Sequence, residues 1–430
     1  MFPMAKLRHN ILIICCLLMA HCYRLNAEIS FRGAWIATVA NIDWPSSESI
    51  GYPATQQEEL IDMLDSLKSI GINTVIFQVR PTADALYWSE LEPWSHWLTG
   101  VQGYWQDNGS LLAGIDDLYD PLEFIISEAK DRDMKVHAWL NPYRVTISMM
   151  DTSQLVSNHI MRMHPEWFWQ YGEQWYFEPG LDETREWICH VVEDIVSRYD
   201  IDAIHMDDYF YPYPKPRMPL PDKACFEAHP RGFTDIREWR RNNVNMAIQD
   251  ISNTIRATKP WVEFGISPFG VWRNNTRDSI GSATMAGLTN YDNLYADVLH
   301  WIRQGWIDYV CPQLYWHIGN RAADYNTLAH WWAKRVTEAN EYYFLHPSAL
   351  HLINEGHGGL CKLYIGMAPY RLGSETEASA WRNGNEIDRQ MKINRTIPQI
   401  EGECFYSTKP LLRNPLGVCD SIKGYYNDSK

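Results

Sequence analysis

The sequence predicts an α/β protein, a (β/α)8 barrel of the TIM type with long βα loops, for three reasons. Short apolar segments alternate with amphipathic segments eight times along the 430 residues. The apolar segments are almost continuously hydrophobic, which is typical of parallel strands buried on both faces. No GxGxxG motif follows the first strand, and this disfavours the alternative of a doubly wound open sheet.

Each predicted strand precedes a predicted helix. The strands are expected at 32–39, 73–80, 135–144, 201–208, 262–270, 307–316, 362–370 and 402–409. The helices are expected at 56–71, 120–133, 183–200, 236–258, 291–304, 322–338, 378–393 and 410–422. Long loops follow the second, third and fourth strands, and they account for a chain longer than a bare barrel requires.

The helix at 120–133 has a well-defined start signal. Asp120 is an N-cap residue, Pro121 takes the first helical position, and Glu123 follows three residues after the cap. The helix at 183–200 is amphipathic, because its apolar residues recur at helical spacing. These residues are Trp187, Ile188, Val191, Val192, Ile195 and Val196.

The first 27 residues are typical of a secretory signal peptide. Lys6 and Arg8 precede the apolar run 11–20, and Ala27 offers a small residue at a cleavage point. The run is too short to span a membrane, so we expect an exported protein, periplasmic or extracellular, without a transmembrane segment. A lipid anchor on Cys22 is the alternative. Residues 28–430 show no break in composition and are expected to form one catalytic domain.

Composition excludes some partners and favours others. The formal net charge of −15, with no basic stripe, argues against nucleic acid. The chain contains 20 Trp and 24 Tyr, more aromatic surface than a core requires, and aromatic faces can stack on sugar rings. Six cysteines lie beyond residue 27 with no CxxC or zinc spacing. No organic cofactor is indicated, and the oligomeric state is not encoded in any visible pattern.

The carboxyl ends of barrel strands form the active site in this architecture. The fourth strand ends in Asp207 and Asp208, and a metal site could be drawn from them with His137 and His205. The HxH motif that commonly opens metal-dependent amidohydrolase barrels is absent from the first strand, so we expect no metal. The other strand ends carry amide, charged and aromatic groups suited to a polyhydroxylated ligand. The expected substrate-binding residues are Trp44, Arg80, Asp84, Asn141, Arg144, Tyr209, Trp272, Gln313, Tyr315, Trp316 and Tyr406.

Adjacent carboxylates are useful for acid catalysis. Two like charges close together cannot both ionise easily, so the pKa of one carboxyl rises and it can act as a general acid. Protonation of a glycosidic oxygen needs such a group. The competing interpretation is structural: Asp207 and Asp208 cap a loop or pair with Arg80 and Arg144. At the end of a barrel strand we favour the catalytic interpretation.

Seven long motifs resemble those of glycosyl-hydrolase-like family ten, a family of exported bacterial barrel proteins. They are "RGAWIATVANIDWPS", "NTVIFQVRPTADALYWSELEPWS", "HAWLNPYR", "IHMDDYFYPYP", "FGISPFGVWRN", "YDNLYADVLHWIRQGWIDYVCPQLYW" and "FYSTKPLLRNPLG". They occur in order over roughly 30–420. The resemblance implies a (β/α)8 barrel that acts on glycosidic bonds. Where a substrate has been assigned to a member of the family, it is bacterial cell-wall glycan that lacks peptides.

The resemblance also implies site residues. Its acidic pair falls on Asp207 and Asp208, and its polar strand ends fall on Arg80, Asp84, Asn141, Arg144, Gln313, Tyr315 and Trp316. This chain departs from the family pattern in two places. Glu178 replaces the usual Asp before Pro-Gly, and the segment 344–361 is an insertion or divergent stretch.

Three hypotheses about function follow. The first is a retaining hydrolase of glycan with 2-acetamido sugars, in which the acetamido group of the substrate is the nucleophile. In this hypothesis Asp207 orients the acetamido group, and Asp208 is first the acid and then the base. The two roles could be exchanged, or Asp207 could attack directly with Asp84 or another loop acid as proton donor. The second is a non-catalytic glycan-binding protein on a hydrolase scaffold. The third is a hydrolase of dietary or host polysaccharide.

Overall fold

Eight parallel strands close into a barrel in a computed structural model that describes residues 29–103, 119–147, 152–345 and 360–427. The strands are β1 Phe31–Ile36, β2 Thr74–Arg80, β3 Lys135–Leu140, β4 Phe168–Tyr171, β5 Gln174–Phe177, β6 Ala203–Met206, β7 Glu263–Ile266, β8 Tyr309–Val310, β9 Lys362–Met367 and β10 Ile400–Phe405. The barrel order is β1, β2, β3, β6, β7, β8, β9 and β10, and β4 pairs with β5 in a separate antiparallel hairpin. The predicted barrel is confirmed.

Helices follow the barrel strands. The helices that alternate with the barrel strands are Pro53–Ser69, Pro121–Lys130, Asp182–Arg198, Ile236–Thr258, Val298–Arg303, Tyr325–Leu345, Asn385–Arg395 and Val418–Asn427. Additional short helices are His96–Thr99, Ile160–Met163, Lys223–Ala228 and Thr408–Leu412. The predicted cap is confirmed, since the Asp120 carboxylate accepts hydrogen bonds from the backbone N–H groups of Leu122 and Glu123 at 2.9 and 3.1 Å. In the part of the chain described, no helix is long and apolar enough to cross a membrane.

Several element boundaries differ from the sequence-based prediction. The expected strand 307–316 pairs regularly only over Tyr309–Val310, and the residues after it turn into the loop. The expected helix 291–304 begins at Val298, capped by Asp297. The last predicted helix, 410–422, is interrupted at Pro415, which lacks a backbone N–H group and follows Asn414 in a left-handed conformation.

The hairpin of β4 and β5 was not predicted. It lies in the long loop after β3, and Gly172 turns the chain between the strands with a φ of +65°. The sequence signal is the alternation in "FWQYGEQWYF" around that glycine. The alternation is short and lies between two predicted barrel strands, where the sequence predicts a loop.

Aromatic side chains fill the barrel interior. Phe31 of β1 stacks on Tyr364 of β9 with ring centroids 3.9 Å apart, and Tyr309 of β8 packs beside them. Gly265 of β7 is required for this packing, because a Cβ atom there would lie 1.8 Å from the Tyr309 ring. The six cysteines of the described residues are free thiols. The predicted signal peptide, including Cys22, and most of the divergent segment 344–361 lie outside the described residues.

Candidate active site

A cavity of about 180 Å³ opens at the carboxyl end of the barrel. It is lined by Trp35, Trp139, Asp207, Asp208, Tyr209, Tyr213, Ser267, Gln313, Tyr315 and Tyr406. Asp207 and Asp208 lie here because β6 ends at Met206 and the next two residues continue directly into the cavity. Both carboxylates are almost fully buried.

Asp207 is surrounded by hydrogen-bond donors. Its carboxylate accepts from the Trp139 indole N–H at 3.2 Å, the Asn141 amide at 3.4 Å and the backbone N–H of Tyr209 at 3.0 Å. Burial raises the pKa of Asp207, and the charge of Arg144 together with these donors opposes that rise. Asp207 is therefore the member of the pair that is better suited to carry the negative charge.

Asp208 has fewer compensating contacts. Its carboxylate accepts from the hydroxyl of Tyr213 and from the amide of Gln313, the latter at 3.2 Å. Burial, and then the nearby charge of Asp207, raise the pKa of Asp208 to about 7. A carboxyl group with that pKa is about half protonated at neutral pH and mostly protonated below it, so it can act as a general acid.

Arg144 acts on the pair through charge and through Tyr209. Its guanidinium group donates to the Pro81 carbonyl at 3.0 and 2.9 Å, so those N–H groups are held by the backbone. Its Cζ atom lies 5.2 Å from the centroid of the Tyr209 ring. The side chain thus places a positive charge beside Asp207 while it supports one aromatic wall of the cavity.

Aromatic rings surround the two acids. Tyr315 and Tyr406 lie with ring centroids 6.0 Å apart, and Tyr370 packs edge-on against both. Trp316, one of the expected binding residues, is half-buried and packs against Phe269, 5.3 Å between centroids, next to the Tyr213 wall. The predicted residues that the structure brings together are Asp207, Asp208, Asn141, Arg144, Tyr209, Gln313, Tyr315, Trp316 and Tyr406.

Three of the other expected substrate-binding residues are buried and are not part of the cavity lining. Arg80 forms a two-point ion pair with Glu92 at 2.6 Å. Asp84 accepts from Thr82 at 2.7 Å. Trp44 donates to the Gln56 carbonyl at 3.0 Å.

Trp272, the fourth such residue, is covered by Trp331. All four side chains are buried in contacts with other protein groups and do not line the cavity. The position of these residues near strand ends did not predict their burial, because the loops fold back over the strand ends.

Four cavity residues, Trp35, Trp139, Tyr213 and Ser267, are absent from the expected site residues. Ser267 directly follows β7, and Trp272 of the same loop was selected instead. Trp35 and Trp139 lie within β1 and β3, where a continuous apolar run does not reveal which side chains face the barrel axis. Tyr213 lies in the aromatic stretch after Asp208, and only Tyr209 of that stretch was selected. The available signal was position, since both tryptophans lie near the carboxyl end of a strand.

The two histidines considered as metal ligands are engaged elsewhere. His137 and His205 each form a hydrogen bond of 2.8 Å to the hydroxyl of Tyr309. Across the described ranges, no three His, Cys, Asp or Glu side chains are grouped in a way that could hold a metal ion. The chemistry available at the acid pair is proton transfer by carboxyl groups.

Comparison with known proteins agrees with this chemistry. The family model described as Glycosyl hydrolase-like 10 matches residues 30–345. Glycosyl hydrolase YngK of Bacillus subtilis is 44% identical over 397 residues, covering 92% of this chain and 71% of the relative. Glycosyl hydrolase DigH of Escherichia coli is 38% identical over 415 residues, covering 91% and 87%.

Solved structures share the fold at low sequence identity. The glycoside hydrolase domain of PgaB (BpsB) from Bordetella bronchiseptica superposes with a TM-score of 0.53 at 11% identity, covering 91% of this chain and 98% of that domain. An endo-1,4-beta-mannanase from Rhizomucor miehei gives 0.53 at 10% identity, covering 93% and 94%. The fold, the sequence relatives and the family match lead to one conclusion: the chain belongs to the glycosyl hydrolase-like 10 family and is a glycoside hydrolase.

Proposed function

We propose that this glycoside hydrolase cleaves glycan that contains 2-acetamido sugars, with peptide-free bacterial cell-wall glycan as its substrate, and that the acetamido group of the substrate is the nucleophile. The observation that carries the proposal is the unequal environment of the two aspartates. Asp207 is surrounded by donors and a positive charge, whereas Asp208 has a pKa of about 7. One ionised and one protonated carboxyl group are what this reaction uses.

The proposed reaction has two steps. Asp208 gives its proton to the glycosidic oxygen while the acetamido oxygen attacks the anomeric carbon and the leaving sugar departs. Asp207 accepts a hydrogen bond from the acetamido N–H and stabilises the positive charge of the cyclic oxazolinium intermediate. Asp208, now ionised, removes a proton from water, and the water opens the ring with net retention of configuration.

Direct attack by Asp207 is the competing mechanism, and it needs another proton donor. Asp84 or another loop acid was the candidate for that role, and only Asp84 was named. Its carboxylate is fully buried, accepts a hydrogen bond from Thr82 and lies 3.6 Å from His96, and it is not part of the cavity lining. This placement favours the version in which Asp208 alone serves as acid and base.

A substrate screen tests the proposal. Reducing ends released from peptide-free cell-wall glycan are compared with those released from neutral and acidic polysaccharides, including dietary and host polysaccharides. The matched control is the same cell-wall glycan after chemical removal of its acetyl groups. We expect cleavage of the acetylated glycan alone. Efficient cleavage of the deacetylated glycan would exclude the acetamido group as nucleophile, and cleavage of another polysaccharide alone would exclude the proposed substrate.

We also propose that the protein is exported after removal of residues 1–27. The support is the signal-like pattern of charged and apolar residues at the N-terminus. N-terminal sequencing and mass determination of the protein from the cell envelope and the medium test this. A new N-terminus at residue 28 is expected, and a lipid-modified Cys22 would identify the alternative anchor.

A further inference from the structure

A chain of hydrogen bonds runs through the barrel interior to the cavity. The hydroxyl of Tyr309 lies 2.8 Å from Nδ1 of His137 and 2.8 Å from Nδ1 of His205. The other ring nitrogen of His205, Nε2, lies 2.9 Å from the hydroxyl of Ser267 and 3.3 Å from the indole nitrogen of Trp35. All five residues are buried, and Trp35 and Ser267 also line the cavity.

The contact with Trp35 fixes the protons along this chain. An indole N–H group can only donate, so Nε2 of His205 must present a lone pair. The single ring proton of neutral His205 is then on Nδ1 and is donated to the oxygen of Tyr309. Tyr309 in turn donates its own proton to Nδ1 of His137. The Ser267 hydroxyl donates to the same Nε2 atom, since that atom has no proton to give.

We propose that His205 is a positioning residue. Tyr309 holds His205 in the form that carries its proton on Nδ1. The bare Nε2 atom then accepts from the Trp35 indole N–H and the Ser267 hydroxyl, which directs both donors away from the cavity and fixes both side chains as the cavity floor. The cavity floor therefore presents an indole surface and a serine oxygen that can accept a hydrogen bond. Neither Trp35 nor Ser267 offers a donor to the substrate. This inference concerns the known hydrolase activity and does not depend on which glycan is cleaved.

Burial supports a fixed proton arrangement. It lowers the pKa of His205 well below the ordinary value for histidine and lowers that of His137 to about 3. Both rings are then neutral throughout the pH range in which the enzyme would work. Doubly protonated His205 would point an N–H group at the Trp35 N–H, which the geometry forbids.

Nuclear magnetic resonance of the whole protein with ¹⁵N-labelled histidine tests the proton arrangement directly. The His205 ring is assigned by the proximity of its signals to the indole proton of Trp35. We expect Nδ1 of His205 to carry the proton and Nε2 to be bare. A proton on Nε2 in the unmodified protein would overturn the proposal, and this measurement requires no variant.

Activity tests the positioning role. Tyr309→Phe removes the acceptor of His205 but retains the ring that packs over Gly265. We expect kcat/KM on the best substrate of the screen to fall roughly tenfold or more, because small displacements of a binding surface have effects of that size. Tyr364→Phe is the matched control, since it removes a hydroxyl from a ring that packs against Tyr309 in the same aromatic layer.

The control is expected to keep kcat/KM within about twofold of the parent enzyme, and the ¹⁵N signals of His205 are expected to change only in Tyr309→Phe. Full activity of Tyr309→Phe, or equal losses in the two variants, would show that the hydroxyl of Tyr309 does not position the floor.

Discussion

At the scale of single residues, Asp207 and Asp208 differ because successive side chains at a strand end point to different sides. Asp207 faces the end of β3, where Trp139 and Asn141 donate to it. Asp208 faces Tyr213 of its own loop and Gln313 beyond β8. Two chemically identical neighbours thus acquire different proton affinities from the elements that each one faces.

The first prediction concerns the pH dependence of activity. Asp208 must be protonated to act as the acid, and its pKa is raised to about 7. We therefore expect kcat/KM to fall as the pH rises through about 7. Asp208→Asn should remove this descending limb and reduce kcat by about 10²–10⁴-fold, which is the usual contribution of a general acid. Steady-state rates measured from pH 4 to pH 9 on both proteins check it, and a parent rate that is constant to pH 9 would contradict it.

The second prediction concerns Arg144. Its charge opposes the rise in the pKa of Asp207, so Arg144→Gln should raise that pKa and move the ascending limb of the pH–rate profile to higher pH. The control is Arg303→Gln, which removes the same charge from the outer helix Val298–Arg303. An unchanged ascending limb in Arg144→Gln, or an equal shift in both variants, would mean that Arg144 does not set the charge of Asp207.

At the scale of elements, the sequence predicted the order of strands and helices better than the loop structure. Apolar runs predict barrel strands because each strand is buried by the next βα unit, and this burial does not depend on the conformation of the loops. The hairpin of β4 and β5 depends on packing against a distant segment, the loop 209–222 after β6. Tyr171 shows this: its hydroxyl donates to the Met218 carbonyl at 2.8 Å and accepts from the backbone N–H of Lys215 at 2.8 Å.

The third prediction tests whether this hairpin supports the catalytic loop. Tyr171→Phe removes both hydrogen bonds to the loop that carries Tyr213. We expect its main effect to be a decrease in kcat/KM, with a loss of at most about 1–3 kcal/mol in the free energy of unfolding. Tyr176→Phe is the matched control, because its hydroxyl donates within the hairpin, to Gln174 at 2.9 Å. Chemical denaturation and steady-state kinetics on both variants distinguish the two roles. Equal kinetic effects would contradict a specific role for Tyr171.

At the scale of the whole molecule, barrel geometry explains which part of the site was predictable. Asp207, Asp208, Gln313 and Tyr406 lie one to three residues after a strand, and parallel strands bring such residues to one end of the barrel. Arg80 satisfies the same rule but pairs with Glu92 from the loop after β2, a contact that depends on how that loop folds. Strand position therefore predicts proximity to the site, whereas loop packing decides which side chains reach the cavity.

The last prediction concerns the closure of the barrel. Glu403 of β10 is fully buried and accepts hydrogen bonds from Asn394, Tyr425 and Tyr426, which belong to the two helices that cover this strand. Burial raises the pKa of Glu403 from 4.5 to about 7. The native state therefore binds a proton that the unfolded chain releases above pH 4.5. The contribution of Glu403 to the free energy of unfolding is fully present below pH 4.5. It is lost as the pH rises through about 7, by about 1.4 kcal/mol per pH unit.

Glu403→Gln replaces the carboxyl group with a neutral amide of the same shape, so its unfolding free energy should fall less between pH 4.5 and pH 7 than that of the parent. Denaturant unfolding at several pH values measures this slope. The exposed Glu58→Gln serves as the control and should leave the slope unchanged, because its carboxylate is in water in both states. A parent and a Glu403→Gln variant with parallel pH dependence would show that Glu403 is already ionised in the folded barrel, with its charge stabilised by the three surrounding donors.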